Sequence, residues 1–416
     1  MSRIKIFKTI LIALIIIASI VCFNRHIKRS SLRKFADFHC YYVTGQRALA
    51  HENIYVSHDN QIAEFRYSPL FATMMSGFAL VSEQNANIIW WLLNYSLLFI
   101  SFILLKKLIL PQKLSFGKTV LLYFLTYIAT VRLIFNNLDS GQANILTLAS
   151  IIIGLYFISR KKEVLGGAIL ALSIMIKYTP VIFILYFLVR KKFKLSLAII
   201  SFMILYFLLP ALFIGFKTNL EYLKNMLGFL TNSTILDPGT MYDYENQSLM
   251  SMLLRFFTTY KPGTNIPNFF QSMANLSDIT VDFLNFFINL LILGAILLPA
   301  RAGRNKTNPF YQNIDYTLIF ISIILLNLNA WMHNYIFLMM SFFLAISYLI
   351  VKGIKDKTTF ILIILAHILN LITGKELCGK TFSYLAHFYS PHTISALIMI
   401  FVLLRLKFSK KEIILE

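Results

Sequence analysis

Acidic side chains are scarce in this chain: 18 Asp and Glu stand against 39 Lys and Arg over 416 residues, a net charge of +21. Charged residues of both signs reach only 14%, while 58% of the chain is hydrophobic; a soluble domain is about a quarter charged. That shortage, with a mean hydropathy of +0.70, excludes a water-soluble globular protein. Cysteine is nearly absent. Cys22, Cys40 and Cys378 form no CxxC pair and no His/Cys cluster, so a zinc module is excluded. Cys22 reads as packing in an apolar segment; Cys40 and Cys378 are open to pairing or to remaining free thiols. There is no Walker lysine motif, no GxGxxG and no paired-Asp motif, which leaves no nucleotide site. The excess of cations is not a nucleic-acid footprint either, because the bases sit in short clusters between apolar segments.

What remains is a series of apolar segments, and they define an all-α polytopic membrane protein. A spanning helix needs about 20 apolar residues. Candidates fall at 5–23, 69–82, 86–105, 118–135, 143–159, 164–176, 180–189, 195–215, 281–300, 314–330, 335–351, 358–373 and 391–406. Several are short, as in bundles with broken or re-entrant helices, so we expect roughly 11–13 transmembrane or re-entrant helices. The basic start with its long apolar core lacks a small-x-small cleavage site and reads as a retained anchor. RKKE (160–163), RKKFK (190–194), RAGRNK (301–306), KGIKDK (352–357) and RLKFSKK (405–411) are placed in the cytoplasm by the positive-inside rule. The opposite side then receives 24–68, 216–280, 374–390 and the turns at Gln142, Lys177 and His333. If KKLILPQK (106–113) is also inside, segment 69–82 does not cross alone; it is re-entrant or interfacial, or that basic loop is outside. Nothing marks a second domain, so residues 1–416 read as a single one, its active-site side formed by loops 24–68 and 216–280.

The outer side gathers most of the acids, and ionisable groups at membrane depth are functional candidates. In KFADFHCYY (34–42), Asp37 lies among Phe35, Phe38, Tyr41 and Tyr42. A partly desolvated carboxylate has a raised pKa and makes a useful general base; the alternative is an N-cap or a pair with Arg33 or Lys34. Arg66 and Tyr67, before Pro69, suit an anionic group or an interfacial anchor. In NNLDSGQANIL (136–146), Gly141 permits a tight turn, and Gln142 and Asn144 suit sugar hydroxyls or a plain polar connection. Lys177 lies between two apolar halves broken at Pro180, where an anion would accommodate it. Arg255 follows NQSL (246–249) and has the fork geometry for a phosphate, or faces headgroups. In LNLNAWMHNY (326–335), Trp331 offers a stacking face and His333 a donor to phosphate, or both belong to an interfacial belt. One base, several cations, amides and aromatics suit transfer of a sugar from a lipid phosphate.

DFHCYY (37–42), NIY (53–55), FRYSPLF (65–71), SGQANIL (140–146), IKYTP (176–180), NQSL with Arg255, and AWMHNY (330–335) together resemble glycosyltransferase family 87. This is the polyprenol-phosphate-mannose-dependent mannosyltransferase-like group of the GT-C superfamily. The resemblance runs from about residue 35 to 340. It implies a GT-C fold and inverting transfer from a polyprenyl-phosphate sugar. Asp37 matches the family's acidic position, Lys177 the lysine of its IK-x-x-P motif, and His333 its late histidine. The family's tyrosine-proline-proline pattern reads Tyr67-Ser68-Pro69 here.

On that resemblance Asp37 is the catalytic base. Lys177, His333, Arg66 and Arg255 bind the donor phosphate, and Tyr41, Tyr67, Gln142, Asn144 and Trp331 bind sugar or acceptor. Neither metal nor other cofactor is expected, because an ionised phosphate leaving group needs no general acid. The expected partners are the bilayer, a polyprenyl-phosphate sugar and a glycan or glycolipid acceptor, not nucleic acid. The expected location is a bacterial plasma membrane, the site facing outward. Two other readings stay open: a flippase or transporter for a lipid-linked sugar, and an oligosaccharide polymerase or ligase using a lipid-diphosphate donor.

Overall fold

A computed structural model describes residues 17, 19–21, 23–25, 27, 36–55, 65–110, 114–231, 238–259, 272–299, 308–410 and 412–413. The described residues are helical throughout, with no strand. Among the described residues, five helices are long and apolar enough to cross a membrane: Glu83–Ile109, Phe116–Ser140, Phe193–Ile214, Asp278–Leu297 and Met332–Lys352. Lys380–Phe388 and Pro391–Lys407, bent by 53° where Pro391 opens the second helix, form a broken span or a re-entrant pair. The expected spans 86–105, 118–135, 195–215, 281–300, 335–351 and 391–406 thus have their helices. The first expected span, 5–23, with Cys22, lies almost entirely outside the described residues, as do 232–237, 260–271 and 300–307 of the polar and basic loops.

The segment at 69–82 has too short a helix to cross. Pro69–Ser76 followed by the 3-10 turn Phe78–Leu80 extends about 18 Å at 1.5 Å per residue, against a hydrocarbon core of about 30 Å.

The chain divides into two compact units. One comprises 12–108 and 135–232, the other 1–11, 109–134 and 233–416. In the first, Asn144–Ser159, Glu163–Ile176 and Phe193–Leu208 pack in succession. Two R-K-K triplets make the turns. Lys162 N–H donates to Phe157 O and Lys161 N–H to Ile158 O, and Lys192 and Lys191 repeat this on Phe187 and Leu188. These paired bonds close each helix in a Schellman motif, which requires the middle residue to be left-handed; Lys161 has φ 62° and Lys191 φ 58°. The turns expected from charge alone are therefore also helix stops.

In the second unit Pro309–Leu325, Leu338–Lys352, Lys357–Leu371 and Pro391–Lys407 form the core. Its polar centre is an ion pair. Lys407 Nζ lies 2.8 Å from Asp315 Oδ1 with both side chains fully buried, and it also donates to Ala295 O and Ile296 O at 2.8 and 3.2 Å. Those carbonyls lie in the last turn of the Asp278–Leu297 helix. Lys407 belongs to the basic cluster 405–411, yet it is a packing element and not a solvated loop charge. Removing one partner of a buried pair strands the other. Lys407→Met is therefore expected to lower stability by roughly 3–5 kcal/mol, and Lys407→Met with Asp315→Leu to recover most of that loss. Thermal unfolding in detergent micelles reads both.

Candidate active site

Asp37 is in the first turn of the Ala36–Leu49 helix, where free backbone N–H groups favour a carboxylate. One flank of that helix is apolar. Phe38, Tyr41, Tyr42 and Ala48 are buried in a cluster with Phe71, Met75, Trp90 and Ile176. Gly45 allows the approach of the Pro69–Ser76 helix: a Cβ there would lie 2.4 Å from Met75 O. The aromatic wall beside Asp37 is continuous, with Tyr41 5.0 Å from Tyr67 and 5.1 Å from Phe71, both edge to face.

The tight turn after Phe116–Ser140 brings Gln142 to Asp37. Gly141 N–H donates to Leu138 O and Gln142 N–H to Asn137 O, the same paired helix stop. Gly141 has φ +67°, and a Cβ on it would sit 2.6 Å from Phe38 Cβ. Trp90 Nε1 donates to Gly141 O at 2.8 Å. Just before the turn, Asp139 pairs with Arg25 at 3.1 Å. Gln142 Oε1 accepts from Tyr41 and Tyr67 hydroxyls at 3.3 and 3.4 Å, and those hydroxyls are 2.5 Å apart. The amide nitrogen is thereby turned to the carboxylate, and the Gln142 side chain hydrogen-bonds Asp37.

Burial pushes the Asp37 carboxyl above its ordinary value; the Gln142 hydrogen bond and the charge of Lys177 pull it part of the way back. Lys177 follows the Glu163–Ile176 helix in an extended conformation, φ −147° and ψ 120°, because Pro180 forces a 3-10 turn over Thr179–Val181. Burial lowers its ammonium to about 8, opposed by Asp37. Lys177 Nζ donates to the buried Asn144 Oδ1. Ser68 caps the Pro69–Ser76 helix by accepting from Phe71 N–H, and its hydroxyl donates to Met175 O. The residue that departs from the family's tyrosine-proline-proline pattern therefore ties Tyr67 to the turn that presents Lys177.

Asp37, Tyr41, Tyr67, Gln142, Asn144 and Lys177 thus converge in the first unit, with Arg66 exposed beside Tyr178. Tyr41, Gln142 and Asn144 are buried, with Tyr41 bonded to Gln142 and Asn144 to Lys177. Arg255, Trp331 and His333 belong to the second unit. Arg255 is 1% exposed. Its guanidinium donates to Asp243 O, Asn246 O and Phe388 O and to the Ser251 and Ser390 hydroxyls, so it clamps loops and is not set out to receive a phosphate. NQSL joins AWMHNY directly, with Gln247 N–H on Ala330 O at 2.8 Å and Ala330 N–H on Asn246 Oδ1 at 3.2 Å. Trp331 precedes the 3-10 turn Met332–Phe337 that carries His333, and both are partly exposed. Cys40 and Cys378 do not form a disulfide with each other. Ser68, Trp90 and the helix stop at Gly141 escaped the sequence reading; only the glycine, at a break between apolar segments, signalled a tight turn.

The description of glycosyltransferase family 87 matches residues 65–325, and the chain belongs to that family. No curated protein matches it. Arg66, Tyr67, Gln142, Asn144, Lys177 and Arg255 lie inside the matched span; Asp37, Tyr41, Trp331 and His333 lie outside it.

Gly141→Ala tests the positioning of Asp37. The left-handed backbone and the contact with Phe38 together are expected to cost roughly 2–4 kcal/mol, and turnover is expected to fall about a hundredfold for an ångström of displacement. Thermal unfolding and single-turnover assays read the two effects separately.

Proposed function

We propose that this glycosyltransferase moves a sugar, mannose or another hexose or pentose, from a polyprenyl-phosphate donor to a lipid-linked or cell-envelope glycan. The site faces outward from a bacterial plasma membrane. The observation that carries this reading is the presence in one unit of a desolvated carboxylate, Asp37, and a lysine, Lys177, each close enough for its charge to act on the other. A base whose pKa is raised toward neutrality accepts a proton effectively, and a nearby ammonium stabilises an anionic leaving group.

In the proposed reaction the acceptor hydroxyl gives its proton to Asp37. Its oxygen bonds to the anomeric carbon, the bond from that carbon to the phosphate oxygen breaks, and polyprenyl phosphate leaves from the opposite face with the electron pair. Attack opposite to departure inverts the anomeric centre. Lys177 and Arg66 receive the growing phosphate charge, and Tyr67 provides a ring face for the sugar. The phosphate is ionised before it leaves, so no general acid is required to protonate it, and EDTA is expected to leave turnover unchanged.

Purified protein incubated with polyprenyl-phosphate mannose and its glucose and pentose counterparts is expected to release free polyprenyl phosphate and to form a product of inverted configuration. Release without a new glycosidic bond, or no release from the panel, contradicts the reading. Asp37→Asn is expected to abolish transfer while leaving folding intact. The folded-state pKa of Asp37 is raised, so its ionisation weakens the fold as pH climbs from the unfolded value through the folded one. The Asn variant should therefore unfold at or above the wild-type temperature at pH 7. The profile of kcat/KM is expected to rise on its acid side above the ordinary carboxylate range, as Asp37 ionises. It should fall on its alkaline side near 8, as Lys177 loses its charge. An acid limb at about 4, the free-carboxylate value, counts against Asp37 as a desolvated base.

A further inference from the structure

Gln247 and His387, in the second unit, take no part in the chemistry assigned to Asp37. Gln247 is fully buried, and its amide nitrogen donates to Tyr244 O at 2.6 Å and His387 O at 2.7 Å. Two carbonyl acceptors fix the orientation of the amide. Gln247 Oε1 therefore faces away from them, and it is buried with no hydrogen-bond partner. His387 is 8% exposed, and its Nδ1 is buried without a partner as well. Buried polar atoms are nearly always satisfied, and an exception calls for an explanation. Here two exceptions fall on residues that are hydrogen-bonded to each other.

Aromatic rings flank them. Tyr244 and Tyr384 meet edge to face at 4.5 Å, and Tyr244 stands perpendicular to the His387 imidazole at 6.3 Å. Both tyrosines are partly exposed. The cations that act on His387 are already engaged: Arg132 is 3.5 Å from Glu376, Lys375 acts on Glu245, and Arg255 donates to backbone carbonyls and to the Ser251 and Ser390 hydroxyls. The orphaned Gln247 oxygen is an acceptor and requires a donor, which an ionised phosphate or carboxylate does not have. A hydroxyl supplies one, and aromatic rings suit the C–H face of a sugar.

We propose that Gln247 and His387, flanked by Tyr244 and Tyr384, form a subsite for a neutral sugar residue of the acceptor. The proposal rests on the family's glycosyl transfer but not on the role given to Asp37. Its test is saturation-transfer NMR on the detergent-solubilised full chain. The probes are methyl α-mannopyranoside, methyl β-glucopyranoside and methyl α-arabinofuranoside, with inorganic phosphate as the anion comparator. At least one glycoside is expected to give ring-proton signals, and His387→Phe to weaken its binding about fivefold, the worth of one hydrogen bond. His387→Asn, which keeps a polar atom near the Nδ1 position, is expected to retain binding, a rescue that a merely structural role for the ring would not give. Asp37→Asn is expected to bind like the wild type while turning nothing over, which separates this proposal from the catalytic one. The backbone carbonyl of His387 that holds Gln247 survives both His387 substitutions, so they test the site without removing its scaffold. The proposal is overturned if no glycoside binds, the orphaned atoms then holding water only. It is equally overturned if phosphate alone binds, or if glycoside binding survives His387→Phe but is lost in Asp37→Asn.

Discussion

A carboxylate withdrawn from water has to be held by donors, and for Asp37 the hydrogen-bonding side chain is Gln142. The rest of the first unit can be read as what places that amide. Its carbonyl is fixed by the Tyr41 and Tyr67 hydroxyls, and its backbone by a helix stop that only a left-handed residue completes. Gly141 fits that position for two reasons at once: its φ is positive, and Phe38, the neighbour of Asp37, leaves no room for a side chain. The same contact that closes the turn therefore sets the carboxylate against the amide.

Lys177 is delivered by a different device. A helix ends at Ile176 and a proline three residues after Lys177 prevents its continuation, so the lysine is extended and turned to Asn144. Ser68 fastens that end to the turn bearing Arg66 and Tyr67. Burial acts on the two charges in opposite directions. It raises the pKa of the acid and lowers that of the base, while their attraction offsets part of each shift. A site built this way is less stable than a neutral one, and the surrounding aromatic cluster compensates for it.

Local pattern made much of this legible before any coordinates. Apolar length located the helices from Glu83–Ile109 to Pro391–Lys407, and Pro180 marked the break at Lys177. Asp37 stood out because carboxylates are rare and its neighbours are aromatic. What the pattern did not reveal were partners distant in sequence. Gln142 and Asn144 looked like hydroxyl ligands because an amide in a polar loop has no visible partner; theirs are Asp37, 105 residues away, and Lys177, 33 away. Arg255 read as a phosphate fork because its acceptors are mostly backbone carbonyls, which leave no trace in composition. Lys407 read as a loop charge for the same reason, its partner Asp315 being 92 residues earlier. Segment 69–82 had the hydropathy of a span, but Gly77 and Ser82 bracket a turn too short to be one.

The central claim is that Asp37 is a carboxylate kept partly out of water for proton transfer. Infrared difference spectra between the wild type and Asp37→Asn, titrated across pH, observe that one carboxyl group directly. The account predicts a protonated-carboxyl band that persists above the ordinary carboxylate range before giving way to carboxylate. Loss of that band at about pH 4, as for an aspartate in free water, would contradict it.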